Sequence, residues 1–258
     1  MFGPIQEFRE RLSRGETLIG AAVAASDPIV TDALSDSVDF LWYDQEHSPM
    51  SYESLRSHLV IARAKQRPTV VRVTQGSTPF VKPVLDSGAS GVIAPQVRTV
   101  DEVKRFVDDC RYPNTGSRGA GPMVPSNYYR TDFHEHEKDA NENVFAAVMI
   151  ETSDAVDNID DIVAIPGLDS IVIGPMDLSG SLGVLGDTDN PKVVASMEKV
   201  ISAARSSGVY VGAGLGLDPE FALTLARRGV QWLQMAGDIV AMIHGMDSAI
   251  IEARRKIG

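Results

Sequence analysis

Short apolar, β-branched runs alternate with amphipathic stretches along the whole chain, which predicts eight strand and helix units in succession. The runs are Ile19 to Ala25, Phe40 to Tyr43, Thr69 to Val73, Gly91 to Ala94, Val144 to Ile150, Ser170 to Ile173, Val209 to Val211 and Trp232 to Ala236. Continuous apolar runs without polar alternation are the mark of parallel strands buried on both faces. The helices between them carry their own punctuation. Asp27-Pro28 and Asp218-Pro219 read as N-cap plus first-turn proline, and Thr99 to Glu102 reads as a capping box before Val103, Phe106, Val107 and Cys110. Leu55, Leu59 and Ala62 recur at helical spacing, Asn190-Pro191 opens a long helix closed by Gly208, and Ile239 to Ile250 forms the last. Ala155 to Val163 reads as one helix ending before Pro166. Pro79 to Leu85 reads as a short helix that Pro83 should kink or shorten.

Strands alternating with helices over 258 residues point to a closed (β/α)8 barrel, an α/β TIM barrel forming a single domain over residues 1–258, rather than an open sheet. The rhythm lapses once. Arg111 to Asn143 is rich in Gly, Pro, Asn and Tyr and too long for a plain connector, so it is a candidate active-site loop or lid.

Charge narrows the partners. With 24 basic and 35 acidic residues the net charge is −11, which disfavours a nucleic-acid or anionic-membrane surface and leaves a small-molecule substrate. Met1 to Ile19 mixes glutamates and arginines without an apolar core, and no run reaches the roughly 18 residues of a membrane span, so a cytoplasmic protein is expected. The one cysteine, Cys110, allows neither an intrachain disulfide nor a cysteine zinc cage and is expected to be a buried structural thiol.

In a parallel barrel, ligands bind where strands end, so residues at those ends carry the candidate chemistry. Asp44 and His47, Arg72, Glu151 and Asp177 would gather there. Two carboxylates, with no histidine or cysteine pair, favour a hard ion held by oxygen, Mg²⁺ or Mn²⁺ before Zn²⁺; rim acids engaged in ion pairs are the alternative. His47, three residues after Asp44, is either a general base oriented by that carboxylate or a loop histidine with an incidental neighbour. Arg72 would hold a carboxylate or enolate oxygen, or else one of the same acids. His134-Glu135-His136-Glu137 reads as solvated loop rather than a metal site. Gly212 to Gly216 lacks the third glycine of a dinucleotide fingerprint, since Leu217 stands there, and reads as a tight loop at the mouth. Arg118-Gly119-Ala120-Gly121 reads as a turn, with an anion cradle as the alternative.

Together, Asp44-x-Glu46-His47-x-Pro49, Arg72, Arg111-Tyr112-Pro113 with Arg118-Gly119-x-Gly121, Ile150-Glu151 and Gly174-Pro175-x-Asp177-Leu178-Ser179 form a recognisable set. It resembles the HpcH/HpaI aldolase family of metal-dependent pyruvate aldolases, which includes 4-hydroxy-2-oxoheptanedioate and 2-dehydro-3-deoxy-sugar-acid aldolases. The likeness runs from about Ile19 to the C-terminal helix. It implies a class II aldolase, a carbon–carbon lyase that cleaves or forms 4-hydroxy-2-oxo acids through a metal-stabilised pyruvate enolate. Glu151 and Asp177 would ligate Mg²⁺ or Mn²⁺, with Co²⁺ a third candidate. Arg72 would stabilise the enolate, and His47, oriented by Asp44, would move the proton. Gly174, Pro175, Met176, Met149 and Leu215 would line the substrate site, while Asp86 would reach the mouth of a neighbouring subunit. The resemblance also implies hexamers that exchange C-terminal helices. Two departures stand out: Met149 replaces the glutamine found in many members, and Gly20-Ala21-Ala22 replaces a Gly-x-Trp pattern, which implies a pocket either wider, and suited to a bulkier acceptor, or filled from elsewhere. The alternatives are an oxaloacetate decarboxylase, a carbon–carbon bond former like macrophomate synthase, or a barrel that binds metabolites without turnover.

Overall fold

The structure, a computed structural model, describes residues 1–258. Its elements run α1 (Gly3–Ser13), β1 (Leu18–Val23), α2 (Ile29–Leu34), β2 (Phe40–Asp44), α3 (Tyr52–Ala64), β3 (Thr69–Arg72), α4 (Thr78–Asp86), β4 (Gly91–Ala94), α5 (Val100–Asp109) and α6 (Phe133–Asn143). They continue with β5 (Phe145–Ile150), α7 (Ser153–Asp157), α8 (Ile159–Val163), β6 (Ser170–Ile173), α9 (Pro175–Ser181), α10 (Pro191–Ser206), β7 (Tyr210–Leu215), α11 (Pro219–Arg227), β8 (Trp232–Gly237) and α12 (Asp238–Ile257). The strands pair in chain order, all parallel, and β8 returns to β1, so the sheet closes into the expected eight-stranded barrel. Closure removes every sheet edge and directs all eight strand C-termini to one rim.

The barrel floor is aromatic. Phe8 of α1 sends its ring against Phe40, Phe145 and Trp232 at centroid distances of 5.5, 5.6 and 6.2 Å, where β2, β5 and β8 begin. Ile5, Phe8 and Leu12 form the buried face of α1 at helical spacing, so this helix plugs the end opposite the mouth. The Trp232 ring packs against Phe40 and Phe145 and donates from Nε1 to Ser170 Oγ at 3.0 Å. A side chain at Gly212 would collide with that ring, which explains why β7 carries glycine there. Gly212 to Leu215 are therefore strand residues and not the loop expected from their composition.

Several expectations are revised by topology. Pro83 neither stops nor divides α4, which continues to Asp86; in so short a helix the missing N–H leaves only the Pro79 carbonyl without its i+4 donor. Residues 153–163 form two helices that break at Asn158, whose amide donates to the carbonyls of Arg98 and Asp154. The segment 111–143 is not a lid over this chain's mouth. It joins the C-terminus of α5 to the start of β5, so the fold carries it to the opposite end, where Arg111 donates to Gly167 O. Its last third is helical: α6 is capped by Asp132, which accepts from the His134 and Glu135 N–H groups. His136 is accordingly buried rather than solvated, facing Phe2 and Tyr112, and burial foremost pushes its imidazole down to about 4. Cys110 is fully buried, as expected, and burial raises its thiol to about 12. No helix is long and apolar enough to cross a membrane.

The aromatic floor carries a stability prediction. Phe8→Ala should lower the unfolding free energy by about 3–5 kcal/mol in urea titrations. A change below about 1 kcal/mol would show that the floor does not depend on α1.

Candidate active site

The register of β2 on β3 sets Asp44 directly beside Arg72 at the rim. Arg72 donates from Nε to Asp44 Oδ1 at 2.9 Å and from Nη2 to Oδ2 at 2.6 Å, a two-pronged ion pair. Its Nη1 lies 3.0 Å from Glu46 Oε2 and 3.8 Å from the sulfur of Met149, and the guanidinium rests 5.7 Å from the Trp42 ring centroid. An arginine gripped by two acids and an aromatic face is fixed in position before any ligand arrives. Burial pushes the Asp44 carboxyl up, but the hydrogen bonds and charge of Arg72, together with the Glu46 and His47 backbone N–H groups, outweigh it and hold the group below the usual carboxylate range. Glu46 goes the other way: burial raises it more than Arg72 and His47 lower it.

His47 differs from expectation. The Asp44 carboxylate is committed to Arg72 and accepts the backbone N–H groups of Glu46 and His47 at 3.0 and 3.4 Å, so Asp44 orients the loop and not the imidazole. The exposed ring instead has Glu46 as its acid neighbour, with Nε2 3.8 Å from Oε2. Glu46 is therefore a site residue that the sequence reading quoted without assigning. It lies two residues past the end of β2, in a bend, where strand alternation no longer assigns a face.

Glu151, the first residue past β5, is 2% exposed. Its Oε1 accepts the Gln96 N–H at 2.7 Å, while Oε2 is buried with no hydrogen-bond partner at all. Gln96 reaches it from a left-handed conformation, φ 53°, in the turn after β4, and nothing in the residue type announces that role. Burial foremost, with Asp177 and Glu46 adding repulsion, pushes the Glu151 carboxyl up to about 7 against the Gln96 N–H and the Arg72 charge. Gly174 keeps the space around that oxygen open, because a Cβ there would lie 2.6 Å from it. Asp177 is in the first turn of α9, a helix foreshadowed only by Gly174-Pro175.

These elements surround a cavity of about 490 Å³ whose lining includes Arg72, Met149, Gly174, Pro175, Met176, Asp177 and Leu215. Glu151 and Asp177 also line one adjoining depression together. No cluster of three or more His, Cys, Asp or Glu groups is arranged as a metal cage. Glu151 and Asp177 could serve as donors at the mouth: two carboxylates, one with a buried and unsatisfied oxygen, fit a hard dication that completes its shell with water or substrate oxygens.

The family model for HpcH/HpaI aldolase/citrate lyase matches residues 22–245. The chain belongs to that family. Membership makes it a carbon–carbon lyase of the aldolase type. It is 32% identical over 247 residues to a hydroxypyruvate/pyruvate aldolase of Roseobacter denitrificans, covering 95% of each chain. Among solved structures it is similar to an HpcH/HpaI aldolase from Desulfitobacterium hafniense DCB-2, with a TM-score of 0.89, 28% identity and coverage of 95% of this chain and 96% of the other. It is also similar to the citrate synthase SbnG, with a TM-score of 0.85, 28% identity and coverage of 96% and 97%.

Asp86 does not join this HpcH/HpaI mouth. It ends α4 at the other pole of the barrel, 2.7 Å from the buried guanidinium of Arg118, which in turn lies 4.5 Å from the Tyr112 ring centroid. Burial raises the Asp86 carboxyl, with Arg118 opposing. Arg118 is thus spent on an acid of its own chain rather than held out as an anion cradle.

Glu151 gives the metal-free protein a defined pH response. Its carboxyl keeps its proton to about 7 when folded, against an ordinary value of 4.5. The folded state therefore binds more protons between these values, so the stability linked to this group is full below 4.5 and lost as pH rises through about 7. Urea midpoints of chelator-treated protein measured from about pH 5 to about pH 8 should fall more steeply for the wild type than for Glu151→Gln. Parallel curves would contradict this assignment.

Proposed function

We propose that the chain is a divalent-metal-dependent aldolase that interconverts 4-hydroxy-2-oxo acids with pyruvate and an aldehyde. The observation that carries this reading is the buried, unpartnered oxygen of Glu151 beside Asp177, in a cavity that also presents the clamped Arg72. Glu151 and Asp177 would hold Mg²⁺ or Mn²⁺, with Co²⁺ a third candidate, by their carboxylate oxygens. When bound, such an ion supplies Lewis-acid polarisation of the 2-oxo group.

The chain's own residues account for the rest. Arg72, with Nε and one Nη2 N–H bound to Asp44 and Nη1 beside Glu46, keeps the second Nη2 N–H and the Nη1 N–H held weakly by Met149 for the developing enolate oxygen, and its pre-set position means that little reorganisation is needed as charge builds there. Met149 accepts only weakly from Nη1, at 3.8 Å, so a thioether leaves that N–H more available to substrate than an amide oxygen would. His47, exposed and beside Glu46, takes a proton from the pyruvate methyl carbon in one direction and returns it in the other. Backbone N–H groups in the turn Gly174 to Asp177, together with Pro175 and Met176, shape the seat of the substrate carboxylate.

Assembly belongs to the same reading. Helix α12 buries none of its residues and exposes Ile239, Val240, Met242, Ile243, Met246 and Ile251, which supports a homo-oligomer, a hexamer by family likeness, in which this helix is covered by another copy. Asp86 of one copy would then serve the mouth of the next. A soluble cytoplasmic enzyme fits the absence of a membrane-spanning helix.

Pyruvate incubated in D₂O with the protein and Mg²⁺ or Mn²⁺ should exchange its methyl protons, read by NMR. Chelator and Glu151→Ala should both abolish exchange, and Arg72→Ala should slow it by about 10² to 10³. Exchange indifferent to chelator and to Glu151→Ala would overturn the proposal.

A further inference from the structure

Beyond the end that would hold the oxo acid, the cavity has a second half built from β7, β8 and the start of α11. Leu215 and Phe221 line it, each packed partly on the core so that one face remains open, and Met176 closes it from α9. Its polar side chains are few. Gln234 spends one of its two amide N–H groups on the Ala236 carbonyl, so its second N–H and the Thr188 hydroxyl are the neutral side-chain donors left there. Of the ionic side chains in the lining, Asp177 is committed to the metal in the reading above and Arg72 is the one cation, which leaves Asp218 as the acid without a basic partner. That cation is already neutralised by Asp44 on one side and Glu46 on the other. Asp218 is fixed at the lip by accepting the Phe221 N–H at 2.9 Å as the cap of α11.

We propose that this half of the mouth selects a neutral aldehyde with an apolar body and rejects an aldehyde that carries its own carboxylate, an inference that rests on the pyruvate-aldolase reading above. An anionic acceptor would place its charge beside Asp218, with the metal and Arg72 already engaged by the oxo acid, and like charges at close range disfavour binding even at an exposed lip. A polyhydroxylated acceptor would lose water from its hydroxyls and regain few partners from Leu215, Phe221 and Met176. An apolar body loses nothing in the same place. The chemistry needs no further reagent. The enolate carbon of pyruvate bonds to the aldehyde carbon, the carbonyl π pair moves onto oxygen, and that oxygen takes up the proton removed earlier from the methyl group.

The test compares kcat/KM for benzaldehyde and for succinic semialdehyde, each with pyruvate, Mn²⁺ and the whole protein, while methyl exchange of pyruvate alone is followed in D₂O. Exchange should proceed without any aldehyde, and benzaldehyde should be preferred by at least about tenfold. Asp218→Asn, which keeps the capping oxygen and removes the charge, should narrow that ratio by about threefold or more. Phe221→Ala should narrow it from the other side by weakening benzaldehyde. Exchange accompanied by equal use of the two aldehydes, by preference for succinic semialdehyde, or by a ratio unmoved in Asp218→Asn would overturn this inference alone. Absence of exchange would overturn the pyruvate reading and this inference with it.

Discussion

A carboxylate with one oxygen on a single backbone N–H and the other on nothing is costly to bury, because no water can replace what the protein withholds. Glu151 is held in that state by the fold itself. The end of β5 fixes its backbone, the left-handed turn at Gln96 supplies one donor, and the open space at Gly174 ensures that no side chain supplies another. Relief comes either from a proton, which burial favours to about 7, or from a cation that Asp177 can share. The mouth is organised around that choice.

The opposite wall obeys the same electrostatic logic with the sign reversed. Arg72 would be expensive to bury alone, and Asp44 and Glu46 remove the cost while fixing its direction. The two walls belong to strands close together in a closed parallel barrel, β2 and β3 on one side of β4 and β5 and β6 on the other, so their C-terminal ends converge on one part of the rim. Neither wall is positioned by loops alone. Trp42 and Met149 lie between them, and Trp232 and Phe8 of α1 fill the barrel below, so the charged rim rests on close-packed apolar layers that resist rearrangement.

Much of this was legible in the chain because buried parallel strands advertise themselves as unbroken apolar runs ending in polar residues. That is why Arg72, Glu151 and Asp177 could be assigned to one rim. What escaped was information carried by pairing and by conformation rather than by residue type. Register decides that Asp44 belongs to Arg72 and leaves the His47 ring to Glu46. A positive φ decides that Gln96 faces Glu151. The segment 111–143 looked functional because it was long and irregular, yet its place after a helix and before a strand already assigned it to the far end of the barrel. Helix α1 was also present in the spacing of Ile5, Phe8 and Leu12, masked by the charged residues around them.

The central claim is that the Glu151 and Asp177 pair is a cation site. Titrating the protein with Mn²⁺ and following free ion by electron paramagnetic resonance tests it without depending on any substrate. The account predicts one bound Mn²⁺ per chain, lost in both Glu151→Gln and Asp177→Asn while the secondary structure is unchanged. Binding that survives either substitution, or no binding to the intact protein, would contradict it.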